Sequence, residues 1–262
     1  MGSVTYRDGL SVIDLIAFLP SFFVSAFLVW RHGLRRSGGF IFLVIFTLLR
    51  VVGAGCALAA INNPSTGLYT AAAVCSSIGL SPLLMGCVGM LSRANESIAN
   101  TTSRPVLPRH AFTAFRVITI VALALSVSGL TWDMSIEALK NPNTEVKVGM
   151  VLYLVSWALL CGMLGILFLC RSSLEDGENR NLAAVAISAP FLMIRIIYSM
   201  LVFFLANSTF NILDGNVTVQ LVMSVIEEII VVFVCLGIGY TLRVREKPAH
   251  DYKTLSPKVE AV

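Results

Sequence analysis

A chain of 262 residues in which 56% are hydrophobic and 13% charged, with a mean hydropathy of +0.83, departs from soluble domains, where about 25% of residues are charged. It reads as an all-α polytopic membrane protein. Its formal charge of +4 comes with no interleaved basic and aromatic patch, which argues against nucleic acid as a partner and leaves the lipid bilayer.

Seven apolar runs follow one another, each near the about 20 residues a hydrocarbon core requires. They are Leu10 to Trp30, Phe40 to Ile61, Gly67 to Leu91, Ala111 to Trp132, Val148 to Cys170, Leu182 to Ala206 and Val217 to Leu242, within a single membrane domain over residues 1–242. The first carries Asp14 near one end and Pro20 inside, and at full spanning length with basic residues behind it, it reads as a retained helix and not a cleaved signal. The second holds Arg50 at depth, with Gly53 and Ala57 as small packing residues; the third contains Pro82, Gly86 and Gly89. The stretch after it, Ser92 to His110, is the longest loop, and Pro105 and Pro108 deny it a continuous helix. Arg116 enters the fourth run close enough to its end to snorkel, and Gly162 and Gly165 offer close packing in the fifth. The acidic stretch with Glu175, Asp176 and Glu178 reads as a solvated loop. In the sixth run Pro190 precedes Arg195 and Tyr198 and suggests a kink that turns them toward a cavity. Asn207-Ser-Thr and Asn216-Val-Thr are glycosylation sequons in the sixth loop. The seventh run carries Glu227 and Glu228, and residues 243–262 form a polar tail expected to be disordered. The six cysteines fall within or at the ends of apolar runs and read as small buried hydrophobes.

The basic residues choose a side. Arg31, Arg35, Arg36, Arg93, Arg104, Arg109, Arg171, Arg180 and the tail lie at one end of the runs, against Arg7, Lys140 and Lys147 at the other. Positive loops stay cytoplasmic, which places the N-terminus lumenal or extracellular, the C-terminus cytoplasmic, and Asn207 and Asn216 on the lumenal side. Asn95 and Asn100, also in sequons, fall on the cytoplasmic side and are expected to stay unmodified.

Four charged residues converge in depth. At about 1.5 Å per helical residue, Arg50, Arg195, Glu227 and Glu228 all sit about ten to thirteen residues from a span end, close to the midplane. A charge there costs about 2.5 to 3.5 kcal/mol on insertion scales, so an adjacent pair of glutamates points to chemistry or ion handling. Neighbouring helical residues diverge by about 100°, so the two cannot share one partner equally. One pairs with Arg195 or Arg50, while the other, in apolar surroundings beside a like charge, holds a proton near neutral pH. Tyr198, Phe203, Phe204, Trp157, Tyr153 and Phe233 could line a shared pocket and stabilise a cation.

No span contains lysine or histidine, which excludes a retinal Schiff base and argues against haem or histidine-held metal. Aspartate-rich diphosphate motifs, a Walker loop, GxSxG and HExxH are missing as well, so any chemical step is expected to use acid and base groups without metal or cofactor.

At FIFLVIFTLLRVVGAG, SIGLSPLLMGCVGMLSRANES, APFLMIRIIYSML and MSVIEEIIVVFVCLGIG the chain resembles a family of fungal seven-helix integral membrane proteins that includes membrane-bound terpene cyclases of the ascofuranone and macrophorin type. The likeness runs over about residues 10–242. It implies an enzyme of secondary metabolism, in the endoplasmic reticulum, that protonates an epoxide or olefin on a hydrophobic prenylated substrate. On that resemblance Glu227 or Glu228 would donate the proton, with Asp14 as a further candidate. Arg50 and Arg195 would hold the partner carboxylate or a polar head group, and Tyr198 would stabilise the carbocation. The competing expectation is a seven-helix lipid transporter or membrane sensor without catalysis.

Overall fold

A computed structural model describes residues 6–33, 39–63, 65–102, 104–131, 143–174, 177–205 and 216–242. The helices in chain order are α1 (Tyr6–His32), α2 (Phe40–Asn62), α3 (Thr66–Ile78), α4 (Leu80–Thr102), α5 (Arg109–Thr131), α6 (Thr144–Leu169), α7 (Asn179–Leu205), α8 (Val217–Gln220) and α9 (Ile226–Thr241). A short 3-10 turn covers Arg171–Ser173, and a π-helical stretch, Leu221–Val225, joins α8 to α9. Among the described residues seven stretches are long and apolar enough to cross a membrane, with α3 and α4 forming the third and α8 through α9 the seventh. This fits a multi-pass membrane protein. The expected disordered tail, 243–262, and the sequon residue Asn207 lie outside the described residues.

Outward-facing side chains carry the apolar character expected of a lipid-facing surface. Ile16 is 71% exposed, Phe23 63% and Trp30 80%, exposures that water would penalise and hydrocarbon would not. The helix starts are set by short polar side chains: Ser65 accepts from Leu68 N, Asn143 from Thr144 N and Asn216 from Thr218 N.

α4 occupies the middle, touching α2, α5, α6, α7 and α9. Almost every residue from Leu80 to Leu91 is buried, a pattern that belongs to a helix surrounded by others and not to one with a single inner stripe. The third run is divided at Gly79, directly before α4. Pro82 lacks an N–H, so the carbonyl of Ile78 has no donor four residues on, and the helix is interrupted there.

The expected loop from Ser92 to His110 is in large part helix. α4 continues to Thr102, and residues 104–108 form an irregular, proline-containing turn before Arg109. Polar residues that suggested a loop are satisfied internally: Asn95 Nδ2 donates to Leu107 O at 3.0 Å and its Oδ1 accepts from Leu107 N at 2.9 Å. Nor is Glu178 a solvated acid. It is 6% exposed, and Arg93 Nε donates to its Oε1 at 2.9 Å. A buried carboxylate is retained here because a cation meets it.

Close helix approach uses some of the expected small residues and not others. A Cβ on the expected Gly53 would lie 2.9 Å from Cys75 Cβ, and one on Gly149, which was not among the expected residues, would lie 2.5 Å from Ser126 Oγ. Gly162 and Gly165 have open space within 4 Å, so the packing expected of that pair is absent; both lie off the inner face of α6. Of the six cysteines, all free, Cys87 and Cys235 are buried and the other four are only partly covered.

Candidate functional site

The four charged residues Asp14, Arg50, Arg195 and Glu228 meet, and Glu227 stands apart from them. Glu228 is fully buried at the centre of the inner face of α9 that continues through Val231, Val232 and Cys235. Arg195, from α7, donates through Nε to Glu228 Oε1 at 2.7 Å. Arg50, from α2, forms an ion pair with Glu228 Oε2, and its Nη1 lies 3.9 Å from Asp14 Oδ2 on α1. Four helices are thus joined by one chain of alternating charges, Asp14, Arg50, Glu228, Arg195. Two guanidiniums and two carboxylates neutralise one another, which is what makes the burial of Arg50, Glu228 and Arg195 and the partial burial of Asp14 tolerable.

Each arginine is held by more than its acid. Arg195 Nη1 donates to Ser199 Oγ, one turn further along α7, and Nη2 donates to Ser76 O at 3.2 Å. That carbonyl sits in the last turn of α3, next to the interruption at Gly79, so the broken third span supplies an acceptor that an unbroken helix would use itself. The guanidinium of Arg195 stands 5.8 Å from the Tyr198 ring centre, and that of Arg50 stands 5.7 Å from the Phe46 ring centre.

Glu227 is left out of this arrangement. It is 7% exposed, its Oε2 is buried without a hydrogen-bond partner, and among the described residues no ion pair includes it. The separation of faces expected for adjacent helical residues is realised, with both arginines on Glu228. Asp14 Oδ1 and Arg50 Nε are also buried without hydrogen-bond partners, so the outer end of the charge chain retains unused polar capacity.

The π-helical stretch immediately precedes the two glutamates. Ile226 N–H reaches back to Leu221 O, five residues earlier, which adds a residue to the turn and shifts the helix face carried by the glutamates. Beside it, between α3, α7 and α8, lies a half-open pocket lined by Ser76, Ser77, Arg195, Tyr198, Ser199, Val202, Phe203, Gln220 and Ser224; its non-atom space of about 400 Å³ includes the open space at its mouth. Of the residues expected at the site, Arg195, Tyr198 and Phe203 line this cavity. Asp14, Arg50, Glu227 and Glu228 do not.

The remaining aromatic residues disperse. Phe233 and Phe204 face outward at 54% and 45% exposure, Tyr153 is fully buried in the core, and Trp157 Nε1 donates to Ala189 O at 2.8 Å. Sequence reading passed over Ser199, Ser76, Ser224 and Gln220. The spacing of Arg195 and Ser199, four residues apart on one helix, was a usable signal; the π-helical stretch has none. Among the described residues no group of three His, Cys, Asp or Glu side chains is arranged to hold a metal ion. Asn216 uses its side-chain oxygen as the cap of α8.

No curated protein and no solved structure matches the chain. Residues 4–245 match the family model described as "Domain of unknown function (DUF7702)", and with nearly the whole sequence covered, the chain belongs to that family.

Proposed function

We propose that the protein is an integral membrane, metal-independent terpene cyclase that protonates an epoxide or olefin of a prenylated substrate, with Glu227 as the acid. The observation that carries the reading is the asymmetry of the glutamates: Glu228 is held by two arginines, and Glu227, equally deep, has none. A carboxyl without a cation in hydrocarbon keeps its proton, and a retained proton is what a general acid needs. The proton passes from Glu227 to the epoxide oxygen, the C–O bond breaks, and alkene π electrons close the rings; the final cation loses a proton that returns, directly or through water, to the Glu227 carboxylate, which leaves a neutral isomer and restores the acid. Positioned general acids contribute about 10²- to 10⁴-fold to rate.

The enzyme lies in the endoplasmic reticulum membrane with its N-terminus lumenal and its basic end cytoplasmic, an orientation supported by the positions of Arg31, Arg93, Arg171 and Arg180. Asn207 and Asn216 are then on the lumenal side. Expression in a host lacking related pathways, fed with prenylated epoxides, tests the reading: a cyclised isomer of the substrate supports it, and full recovery of linear substrate from folded protein contradicts it.

A second reading, a lipid transporter or sensor, is favoured by one observation: the cavity has a wall of mixed apolar and polar side chains, as an amphiphile requires, and Glu227 is not in its wall. That reading expects lipid movement or lipid-dependent change of shape without any product.

A further inference from the structure

The cavity beside the π-helical stretch has a chemistry of its own. It reaches from Gln220, in the first turn of the seventh span, inward to Arg195, which is ten residues before the end of α7 and so about 15 Å deep along the helix axis. Its wall combines a buried guanidinium with the side chains of Ser199, Ser224, Gln220 and Tyr198, while Val202 and Phe203 supply apolar surface.

The charge on Arg195 is already matched. Its Nε is on Glu228, its Nη1 on Ser199 and its Nη2 on Ser76 O, so an anion entering the cavity would find the guanidinium neutralised and would meet a carboxylate directly behind it. Removing an anion from water into such a site is costly without a free cation to receive it. A neutral group with hydroxyl or carbonyl oxygens loses far less on entry and gains hydrogen bonds from serine and glutamine side chains that both donate and accept.

We infer that this cavity is the binding site for the polar end of an amphiphilic ligand, and that it selects a neutral hydrogen-bonding head group over an anionic one. The inference deepens the reading under Proposed function by naming the substrate's polar end, but it needs no chemical step. Ser224 and Gln220 are the discriminating residues. Both stand on the seventh span and line the cavity, and among the described residues neither is bonded to the charge chain, so each can donate to or accept from a ligand oxygen.

Purified full-length protein in lipid nanodiscs is titrated with three probes of equal chain length: 4-hexylresorcinol, which is neutral and hydroxylated, hexyl phosphate, which is anionic, and hexylbenzene, which has no polar head. Saturable binding is read from intrinsic fluorescence and from the shift in unfolding temperature. The expected order is hexylresorcinol well above both others. Ser224→Ala with Gln220→Leu should weaken hexylresorcinol by about tenfold or more, the loss of two neutral hydrogen bonds, with hexylbenzene unchanged. The unfolding temperature of the unliganded variant serves as the check on folding, and Ser224→Ala alone, expected to lose about fivefold, stands in if the double variant fails it. Equal binding of hexylbenzene, tighter binding of hexyl phosphate, or an unaltered affinity in a folded variant each overturns the inference. Because the readout is binding, hexylresorcinol selectivity without cyclisation of any epoxide would retain the site and remove the proposed chemistry, and cyclisation without selectivity would do the reverse.

Discussion

Arg195 Nε donates to Glu228 Oε1 at 2.7 Å across the contact of α7 with α9, and this bond decides the roles of the two adjacent glutamates. With Arg50 on the other oxygen, Glu228 becomes the structural centre of the bundle, and Glu227 is the acid without a cation.

Glu228→Ala should therefore be costly. It leaves two buried guanidiniums facing each other without their shared acid, a loss of about 3 to 5 kcal/mol by analogy with other buried pairs. Thermal unfolding in detergent measures it, and a near-normal unfolding temperature would contradict the bridging role.

Glu227→Gln should leave stability within about 0.5 kcal/mol of the parent, because it exchanges a carboxyl for an amide of the same shape where, among the described residues, no ion pair exists. Unfolding under the same conditions reads this directly; a loss comparable with that of Glu228→Ala would mean that Glu227 has a charged partner.

Ser199→Ala removes the hydroxyl that accepts from Arg195 Nη1. A hydrogen bond to a charged group is worth about 1.5 to 3 kcal/mol, and the variant should lose about that much stability. No change on chemical or thermal unfolding would show that the guanidinium finds another acceptor.

At the basic end, Glu178→Ala strips Arg93 of the carboxylate 2.9 Å from its Nε, and the same buried-pair argument gives a cost of about 3 to 5 kcal/mol. A fully solvated Glu178 would instead make the substitution neutral.

Glycines divide in the same testable way. Gly149→Ala places a methyl 2.5 Å from Ser126 Oγ and 2.9 Å from Ala122 O, an overpacking expected to cost about 1 to 3 kcal/mol. Gly162→Ala meets nothing within 4 Å and should be neutral or stabilising by up to about 1 kcal/mol through helix propensity.

The seven spans and the depth of the four charges were legible because both depend on one number, the rise per residue, applied to long apolar runs. That Glu227 and Glu228 would separate followed from the turn angle. The choice between them did not, because it depends on where α2 and α7 stand around α9, which no single span encodes. Arg93, Asn95 and Glu178 were misread for a related reason: polar residues signal a loop unless their partners are distant in sequence, and here they come from the turn before α5 and from the start of α7. Gly162 and Gly165 have the spacing of a packing motif but face away from any neighbour. The cavity adds serines and a glutamine to Arg195, Tyr198 and Phe203, and those come together only where the π-helical stretch and the interrupted third span meet α7.

The central claim is that Glu227 gives up the proton while Glu228 holds the bundle together. Its most direct test is cyclisation of a prenylated epoxide by microsomes containing Glu227→Gln, at a level of folded protein matched to the parent. The account predicts that cyclised product falls by about 10²-fold or more while the unfolding temperature is retained. Turnover at the parental rate in that folded variant would contradict it.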